Sequence, residues 1–343
     1  MVKIAWSQNQ PCFLTPYSHA GKNLGVIDFI RAGNPKGETL LLVPGIPGQI
    51  YDFHKVIPLL VRSGFDVLSV SAPGKGHSII FPEFFNGDDH NELNLYGHFW
   101  NWVFKIFEIK KVTVVAFSSG LAEIAQAIAL SQKSNLPLNR IISVGGWAPH
   151  LVPERISEGL DKNFIDPLLG PLAYKLIRPT PIFKNQIQRA FYQYNKTPRE
   201  LNQWMEEYLE GFPKAPHPED PPKIKKKLME KIAGFCHSIR WQYFINRHIK
   251  FYFNKLHLAR EKLKGIPHLI IVGDHDKIVR EPRAKNGIPY ATKLYRSILH
   301  LNEVQKPYLN RRFQFHIIKD AGHMIPHENP EQLAQEIENF IHS

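Results

Sequence analysis

Cysteine is nearly absent from the sequence. The 343 residues include two, Cys12 and Cys236, which lie far apart along the chain. Two distant thiols provide neither a disulfide framework nor a cysteine cluster for a metal ion, and they suit a reducing compartment. We therefore expect a cytoplasmic protein without a disulfide framework.

Long apolar runs and a targeting segment are also missing. No stretch approaches the roughly 18 uninterrupted apolar residues that a membrane span requires. Residues 1–13 lack the apolar core of a signal peptide. The 17 histidines are scattered and show no metal-ligand spacing. These absences argue against a membrane span and against a metal site.

Acidic residues are fewer than basic residues, 31 against 43, which gives a formal net charge of +12. Such an excess favours contact with lipid headgroups, nucleic acid or acidic metabolites, although a solvated basic surface has the same composition. We expect no nucleic-acid partner, and weak contact with an anionic membrane surface stays open.

The hydrophobic content of 43% is typical of a globular protein, and the length suits one large domain with an insertion or two domains.

Apolar runs that are rich in β-branched residues alternate with helical patterns. A continuous apolar run indicates a strand buried on both faces, and alternation with helices indicates parallel crossover units. The sequence therefore predicts an α/β fold with a doubly wound, mostly parallel sheet. The predicted strands are 25–30, 39–43, 65–70, 112–115, 140–146, 267–273 and 313–318. The predicted helices outside the central segment include 51–63, 94–110 and 330–341.

Composition changes over residues 150–264, where helical patterns rich in aromatic and basic residues replace the strands. We interpret this segment as a helical cap inserted into the core. The chain then divides into a first part of the core, a cap and a second part of the core, at residues 1–148, 149–264 and 265–343. The cap helices fit contact with membrane or acyl chains, or packing on the core with their charges in water.

One stretch has the pattern of a nucleophile elbow. A short β-branched run leads into Ala116-Phe117-Ser118-Ser119-Gly120, and helical spacing follows. A serine on so sharp a turn needs small residues two positions before it and two positions after it, because neighbouring chain passes close to them. Ala116 and Gly120 meet this need for Ser118. If Ser119 were the nucleophile, Phe117 would stand two positions before it, where its large side chain would clash.

Two backbone N–H groups are candidates for an oxyanion hole. The strand predicted at 39–43 ends in a turn rich in glycine and proline, residues 44–48, which can expose N–H groups. Donors that point at the oxygen of a tetrahedral intermediate contribute about 3 kcal/mol each in acyl transfer. We predict the N–H of Ile46 as the first donor and the N–H of Ser119 as the second.

Candidate acid and base residues follow two later strands. Asp274 and Asp276 come directly after a predicted strand, at the edge where open α/β sheets place their sites. We predict Asp276 as the acid, with Asp274 as the weaker candidate. His323 follows the last predicted strand and is the predicted base. His316 lies inside that strand, and His327 is expected on the surface.

Together these motifs resemble the α/β-hydrolase superfamily, in the branch with a helical cap. The serine elbow, the acid segment at 273–276 and the histidine segment at 321–323 follow one another in the order Ser, Asp, His, which is one of the known orders of this triad. The likeness covers roughly residues 25–148 and 265–343.

Two loops depart from the pattern of that superfamily. The turn at 44–48 resembles its His-Gly-x-Pro loop, with Pro44 in place of the histidine. Residues 71–78 resemble its Asp-x-x-Gly-x-Gly-x-Ser loop, with Ser71 in place of the aspartate. Lys75 and His77 of this loop are expected on the surface.

The resemblance implies a triad in which Ser118 attacks an acyl carbon, His323 moves the proton and Asp276 orients the imidazole. We expect a serine hydrolase, similar to esterases and lipases, that cleaves a small-molecule ester or lipid with an apolar acyl or aromatic group, without a cofactor. A serine argues against the epoxide hydrolases and haloalkane dehalogenases of this fold, which attack with aspartate.

Other functions stay open at this stage. The same triad could perform C–C bond hydrolysis or cofactor-free perhydrolysis. The fold could also serve a non-catalytic ligand-binding protein, or a basic protein that docks on anionic lipid.

Overall fold

A ten-stranded β-sheet forms the centre of the part of the protein that the structure describes. The computed structural model describes residues 2–5, 11–19, 21–45, 48–80, 95–130, 137–145, 197–209, 259, 262, 263, 265–276 and 313–343. The strands within these ranges are β1 (Val2–Ala5), β2 (Pro11–His19), β3 (Lys22–Gly33), β4 (Thr39–Val43), β5 (Asp66–Val70), β6 (Ile79–Ile80), β7 (Val112–Phe117), β8 (Leu138–Val144), β9 (His268–Gly273) and β10 (Phe313–Ile318).

The strands follow one another in the order β1-β2-β3-β5-β4-β7-β8-β9-β10, and β6 pairs with β3. The six strands from β5 to β10 in this order are parallel, whereas β1, β2 and β3 pair antiparallel. The chain leaves β4 for β5 on one side and later returns to β7 on the other side. This reversal between β4 and β7 is the switch point where open α/β sheets place their sites.

Helices cover both faces of the sheet. Their bounds are α1 (Ile57–Arg62), α2 (Leu95–Ile106), α3 (Gly120–Leu130), α4 (Pro198–Leu209), α5 (Ile325–Glu328) and α6 (Pro330–His342), and a 3-10 turn spans Ile50–Phe53. α2 and α3 contact one another, as do α1 and α6. The first pair shares one hydrophobic cluster with the sheet, and the second pair shares another.

Strand β4 shows why the central strands are apolar throughout. Leu41 and Val43 belong to the cluster with α2 and α3, whereas Leu40 and Leu42 belong to the cluster with α1 and α6. Successive side chains of a strand point to opposite faces, so a strand that is covered on both faces buries all of them. Each fully buried leucine contributes about 2 kcal/mol through removal of its apolar surface from water.

The predicted fold class is confirmed by this architecture, and the N-terminal region adds two strands that were not predicted separately. β2 contains Pro11 and Pro16, which argue against a strand in a local reading of the sequence. Pairing with β1 on one side and with β3 on the other overrides that local signal.

The division into core and cap stays a prediction. Within the proposed cap, the structure describes the helix α4 and residues 259, 262 and 263. The rest of the proposed cap lies outside the described residues. None of the helices in the described ranges combines the length and the hydropathy that a membrane crossing needs.

Candidate active site

Ser118 occupies a sharp turn between β7 and α3. Its φ angle is 50°, in the left-handed region that side-chain-bearing residues rarely adopt. Such a conformation costs roughly 1–3 kcal/mol and persists only when the surrounding structure holds it. The N–H of Ser118 donates to the carbonyl oxygen of Val144 at 2.7 Å, which ties the turn to the end of β8.

Close backbone packing explains the small residues around this serine. A Cβ atom at Gly120 would lie 2.6 Å from the carbonyl oxygen of Val43, and one at Gly45 would lie 2.9 Å from the Cβ of Ser118. Ala116 is fully buried in the middle of the sheet, where it pairs with Val43 of β4. The turn after β4 therefore lies directly against the turn after β7.

His323 connects Ser118 with Asp276. The Nε2 atom of the imidazole lies 3.0 Å from the Oγ of Ser118, and the Nδ1 atom lies 2.7 Å from Oδ2 of Asp276. A carboxylate only accepts, so Nδ1 donates to it, and Nε2 is left to accept from the serine hydroxyl. Asp276 is fully buried. The structure thus brings together the three side chains predicted as a triad, while their catalytic roles stay a prediction.

The loop that carries His323 packs against the end of β9. The N–H of His275 donates to the carbonyl oxygen of Ala321 at 2.9 Å, and the N–H of Ala321 donates to Oδ1 of Asp274 at 3.2 Å. A Cβ at Gly273 would lie 2.2 Å from the carbonyl oxygen of Gly322. Asp274, the weaker candidate for the acid, therefore holds the histidine loop.

Two neighbours of His323 were not identified from the sequence. A Cβ at Gly145 would lie 3.0 Å from the Cε1 atom of His323, and the ring of Phe117 lies 5.3 Å from the imidazole, centroid to centroid. Gly145 has a φ angle of 81° at the end of β8. The glycine pair at 145–146 was the available signal, because a strand that ends in glycine permits close approach.

The two histidines that were considered less suitable as the base, His316 and His327, are placed differently. His316 lies in β10, with its Nδ1 at 2.5 Å from the Oε2 of Glu336. His327 is 4% exposed, so the expectation of a surface residue was wrong. It lies in α5, which packs against the 3-10 turn. Burial, together with the nearby side chains of His54 and Lys55, lowers the pKa of His327 well below its usual value.

Of the two predicted oxyanion donors, Ser119 is described and Ile46 lies outside the described residues. The carbonyl oxygen of Ser119 accepts the N–H of Ala122 at 2.9 Å, so Ser119 caps the first turn of α3. N–H groups at a helix N-terminus favour negative charge. On either side of the residues that are not described in this turn, Gly45 and Gly48 lie close together, since a Cβ at Gly48 would lie 2.8 Å from the nitrogen of Gly45.

Lys75 was expected on the surface, and this expectation was wrong. Its side chain is fully buried beside Glu123 in the first turn of α3, with the ammonium group 2.5 Å from Oε1 of the carboxylate. His77 is partly exposed, and its backbone N–H donates to Oδ2 of Asp28 at 3.2 Å. The carboxylate that binds this loop therefore comes from Asp28 of β3. The loop itself begins with Ser71, which has no carboxylate.

A cluster of charged side chains binds α4 to the core. Glu207 of α4 accepts from Nε2 of His54 at 3.0 Å and from the ammonium of Lys55 at 3.0 Å. The ammonium also donates to the carbonyl oxygen of His327 at 3.3 Å. Burial alone would raise the pKa of Glu207, but the hydrogen bonds from His54 and Lys55 outweigh it and lower the pKa to about 2. Through Lys55, this cluster links part of the proposed cap to His327, four residues after His323 in sequence.

Metal binding has no candidate in the part of the chain that the structure describes, since no group of three or more His, Cys, Asp or Glu side chains is placed to hold an ion there.

A family model matches most of the chain. The model of the Alpha/beta hydrolase family aligns with residues 40–336, a span that includes Ser118, Asp276 and His323. A comparison with curated protein sequences gives no match.

Solved structures of several named activities resemble this fold. A bromoperoxidase from Bacillus anthracis is 16% identical, with a TM-score of 0.57 over 93% of this chain and 96% of that chain. A carboxylesterase from Nitrososphaera gargenis is 15% identical, with a TM-score of 0.56 over 96% and 98%. Epoxide hydrolase A from Mycobacterium thermoresistibile is 15% identical, with a TM-score of 0.59 over 97% and 98%. At these identities the likeness concerns the fold, and the reaction must be argued from the site.

The packing at Gly120 predicts the effect of a single added methyl group. Glycine to alanine in a helix normally stabilises by about 1 kcal/mol. We expect Gly120→Ala to lower the free energy of unfolding by about 2 kcal/mol instead, because the new Cβ meets backbone oxygen that cannot move aside. Urea unfolding measures the difference.

The matched control is Gly64→Ala. Gly64 has a positive φ angle of 89°, but a Cβ added there would meet no heavy atom within 4 Å, so its cost is backbone strain alone. A gain in stability from Gly120→Ala, or a loss smaller than that of Gly64→Ala, would contradict the packing described here.

The low pKa of Glu207 predicts a pH-dependent contribution to stability. The carboxylate is protonated below about 4.5 in the unfolded chain and below about 2 in the folded protein. Its contribution is therefore present above pH 4.5 and is lost as the pH falls toward 2. We expect Glu207→Gln to be less stable than the wild type by roughly 1–3 kcal/mol near neutral pH, with the difference shrinking in acid.

Urea unfolding of both proteins at several pH values tests this expectation. Glu206→Gln, at an exposed position of the same helix, controls for the loss of one negative charge. A difference between wild type and Glu207→Gln that does not change with pH would show that the ion pairs do not supply it.

Proposed function

The chain belongs to the α/β hydrolase family, and from this premise we propose that it is a serine hydrolase that cleaves a carboxylic ester through an acyl-enzyme. The observation that carries the proposal is the continuous hydrogen-bonded chain from Ser118 through His323 to Asp276, at 3.0 Å and 2.7 Å. A buried carboxylate, an imidazole and a serine on a strained turn are the parts that acyl transfer requires.

Each of the three side chains has one role in the proposed reaction. His323 accepts the hydroxyl proton at Nε2 while the Oγ of Ser118 attacks the acyl carbon of the ester. The tetrahedral intermediate collapses, the imidazolium gives its proton to the leaving alcohol, and the acyl group stays on Ser118. A water molecule then loses a proton to His323 and attacks the acyl-enzyme. The second tetrahedral intermediate collapses, the bond between the acyl carbon and the Oγ of Ser118 breaks, the imidazolium returns its proton to Oγ, and the carboxylic acid leaves. Asp276 stabilises the imidazolium in both halves and keeps Nε2 directed at the serine.

The oxyanion of both intermediates would be held by backbone N–H groups. The candidates are Ser119, at the first turn of α3, and Ile46, in the turn that follows β4. The proximity of the two turns supports this pair, because Gly45 packs against the Cβ of Ser118. Such preorganised donors each contribute about 3 kcal/mol to the stability of the transition state.

An apolar acyl or aromatic group is the substrate feature that we propose. Phe117 and Val144 lie beside the serine, and Met205, Tyr208 and Leu209 of α4 share their hydrophobic cluster. Apolar side chains beside the nucleophile favour an apolar substrate over a charged one. We also propose a cytoplasmic location, which the free thiol of Cys12 supports.

Ser118→Ala should abolish ester hydrolysis and leave the fold intact. We expect kcat/KM on p-nitrophenyl esters to fall by about 10⁴-fold or more, because the nucleophile is lost while binding groups remain. Ser63→Ala, at an exposed serine that bonds Glu338, is the matched control and should retain activity. Circular dichroism and the melting temperature verify folding of both variants.

The choice of substrates separates this proposal from its alternatives. The panel should contain esters graded by acyl-chain length and a vinylogous substrate for the hydrolysis of a C–C bond. It should also include an assay for peracid formation from acetate and hydrogen peroxide. Turnover of the carbon–carbon substrate or of acetate with peroxide, without turnover of any ester, would contradict the proposal. Ester turnover that survives Ser118→Ala would contradict the assigned nucleophile.

A further inference from the structure

The ammonium group of Lys75 lies in the interior of the protein, beside the turn that follows β4. The side chain has no exposed surface. Its Nζ donates to the carbonyl oxygen of Pro44 at 2.7 Å and lies 2.5 Å from Oε1 of Glu123. Glu123 is 1% exposed. Burying two charges costs much of their hydration, and replacing such a pair by apolar residues is often neutral or stabilising. Stability alone is therefore a poor reason for this pair.

The contacts of Lys75 join three segments that meet at the candidate site. Pro44 follows β4, Lys75 lies in the loop after β5, and Glu123 lies in the first turn of α3. A Cβ at Gly120 would be 2.7 Å from the Pro44 carbonyl oxygen, so this carbonyl lies against the start of α3. The ammonium group thus bridges the turn after β4 and the helix that begins directly after Ser118.

The bond to the Pro44 carbonyl fixes the orientation of one peptide group. That peptide joins Pro44 to Gly45, and Gly45 lies directly against Ser118. Gly45 has little freedom, because it packs against the Cβ of Ser118 and against Gly48. A rotation of this peptide would therefore be passed on to Ser118 and to the neighbouring N–H of Ser119, the predicted oxyanion donor that the structure describes. An oxyanion donor is effective only within a narrow range of distance and angle.

The charge of Lys75 also acts on this site. The Glu123 carboxylate lies in the first turn of α3, near the N–H groups that would hold a developing negative charge. Burial raises the pKa of Glu123 to about 7, although Lys75 opposes the shift. Asp52 is a second buried carboxyl group whose pKa burial raises to about 7, again against the charge of Lys75. Without the ammonium group, both carboxyl groups would lose the positive charge of Lys75.

We propose that Lys75 is a positioning residue, which holds the Pro44 carbonyl and the Glu123 carboxylate and so fixes the start of the turn after β4, together with the N-terminus of α3, against Ser118. The inference rests on the proposed function, since the orientation of this turn matters only when Ser118 attacks an acyl carbon. Lys75 does not touch the reacting atoms and acts through the backbone of the turn.

The test removes both charges together, so that neither is left alone in the interior. In Lys75→Met with Glu123→Gln, we expect kcat on the best ester to fall by about 10- to 100-fold while KM changes by less than about threefold. The split between kcat and KM separates positioning from a merely structural role, because donors to the oxyanion act in the transition state.

The matched control removes an ion pair at the opposite edge of the sheet. Arg31 donates from Nε to Oδ1 of Asp66 at 3.1 Å and from Nη2 to Oδ2 at 2.8 Å, at the start of β5 and far from Ser118. Arg31→Met with Asp66→Asn should lower the melting temperature without lowering kcat. If the first variant does not fold, Lys75→Gln with Glu123→Gln replaces it, because the shorter amide cannot reach both partners.

The outcomes distinguish this inference from the function on which it rests. A wild type without ester turnover would overturn both. A wild type with turnover, together with an unchanged kcat in the folded Lys75 variant, would overturn the role of Lys75 alone. An equal loss of kcat in the Arg31 control would also overturn it, because loss of rigidity anywhere in the sheet would then suffice.

Discussion

The close approach of the turns after β4 and β7 is the constraint on which the site depends. At this point Gly120 lies against the carbonyl oxygen of Val43, and Gly45 lies against the Cβ of Ser118. The two strands are neighbours at the switch point of the sheet. The chain continues from β4 to β5 on one side and returns to β7 on the other side. A parallel sheet brings the carboxyl ends of its strands to one edge, so sequence positions about 75 residues apart meet there. The strain at Ser118 is held in place by this packing.

The same edge collects the other parts of the site from later strands. Asp276 follows β9, His323 follows β10, and Val144 at the end of β8 accepts the N–H of Ser118. Asp274 and Gly273 at the end of β9 pack directly on the histidine loop, which restricts the position of His323. Chemistry in such a site depends on the rigidity of the sheet below it.

Much of the core was predictable from the sequence, because the signals are local. The apolar runs at β4, β7 and β9 indicate buried strands, and Ala116 with Gly120 selects Ser118 over Ser119. Burial of charge was not predictable in this way. Lys75 lies in a loop rich in glycine, which is typical of surface, and its partner Glu123 is 48 positions away, so only the assembled fold shows the pair. His327 was misplaced for the same reason, since its burial depends on neighbours distant in sequence such as Tyr208 of α4.

The rate at which a fluorophosphonate modifies Ser118, followed by peptide mapping, tests the central claim most directly. The claim is that His323 and Asp276 activate this serine. We predict rapid modification of the wild type at Ser118, and modification at least about 10³-fold slower in His323→Ala. Modification of another residue, or an equal rate in the folded His323→Ala variant, would contradict the claim.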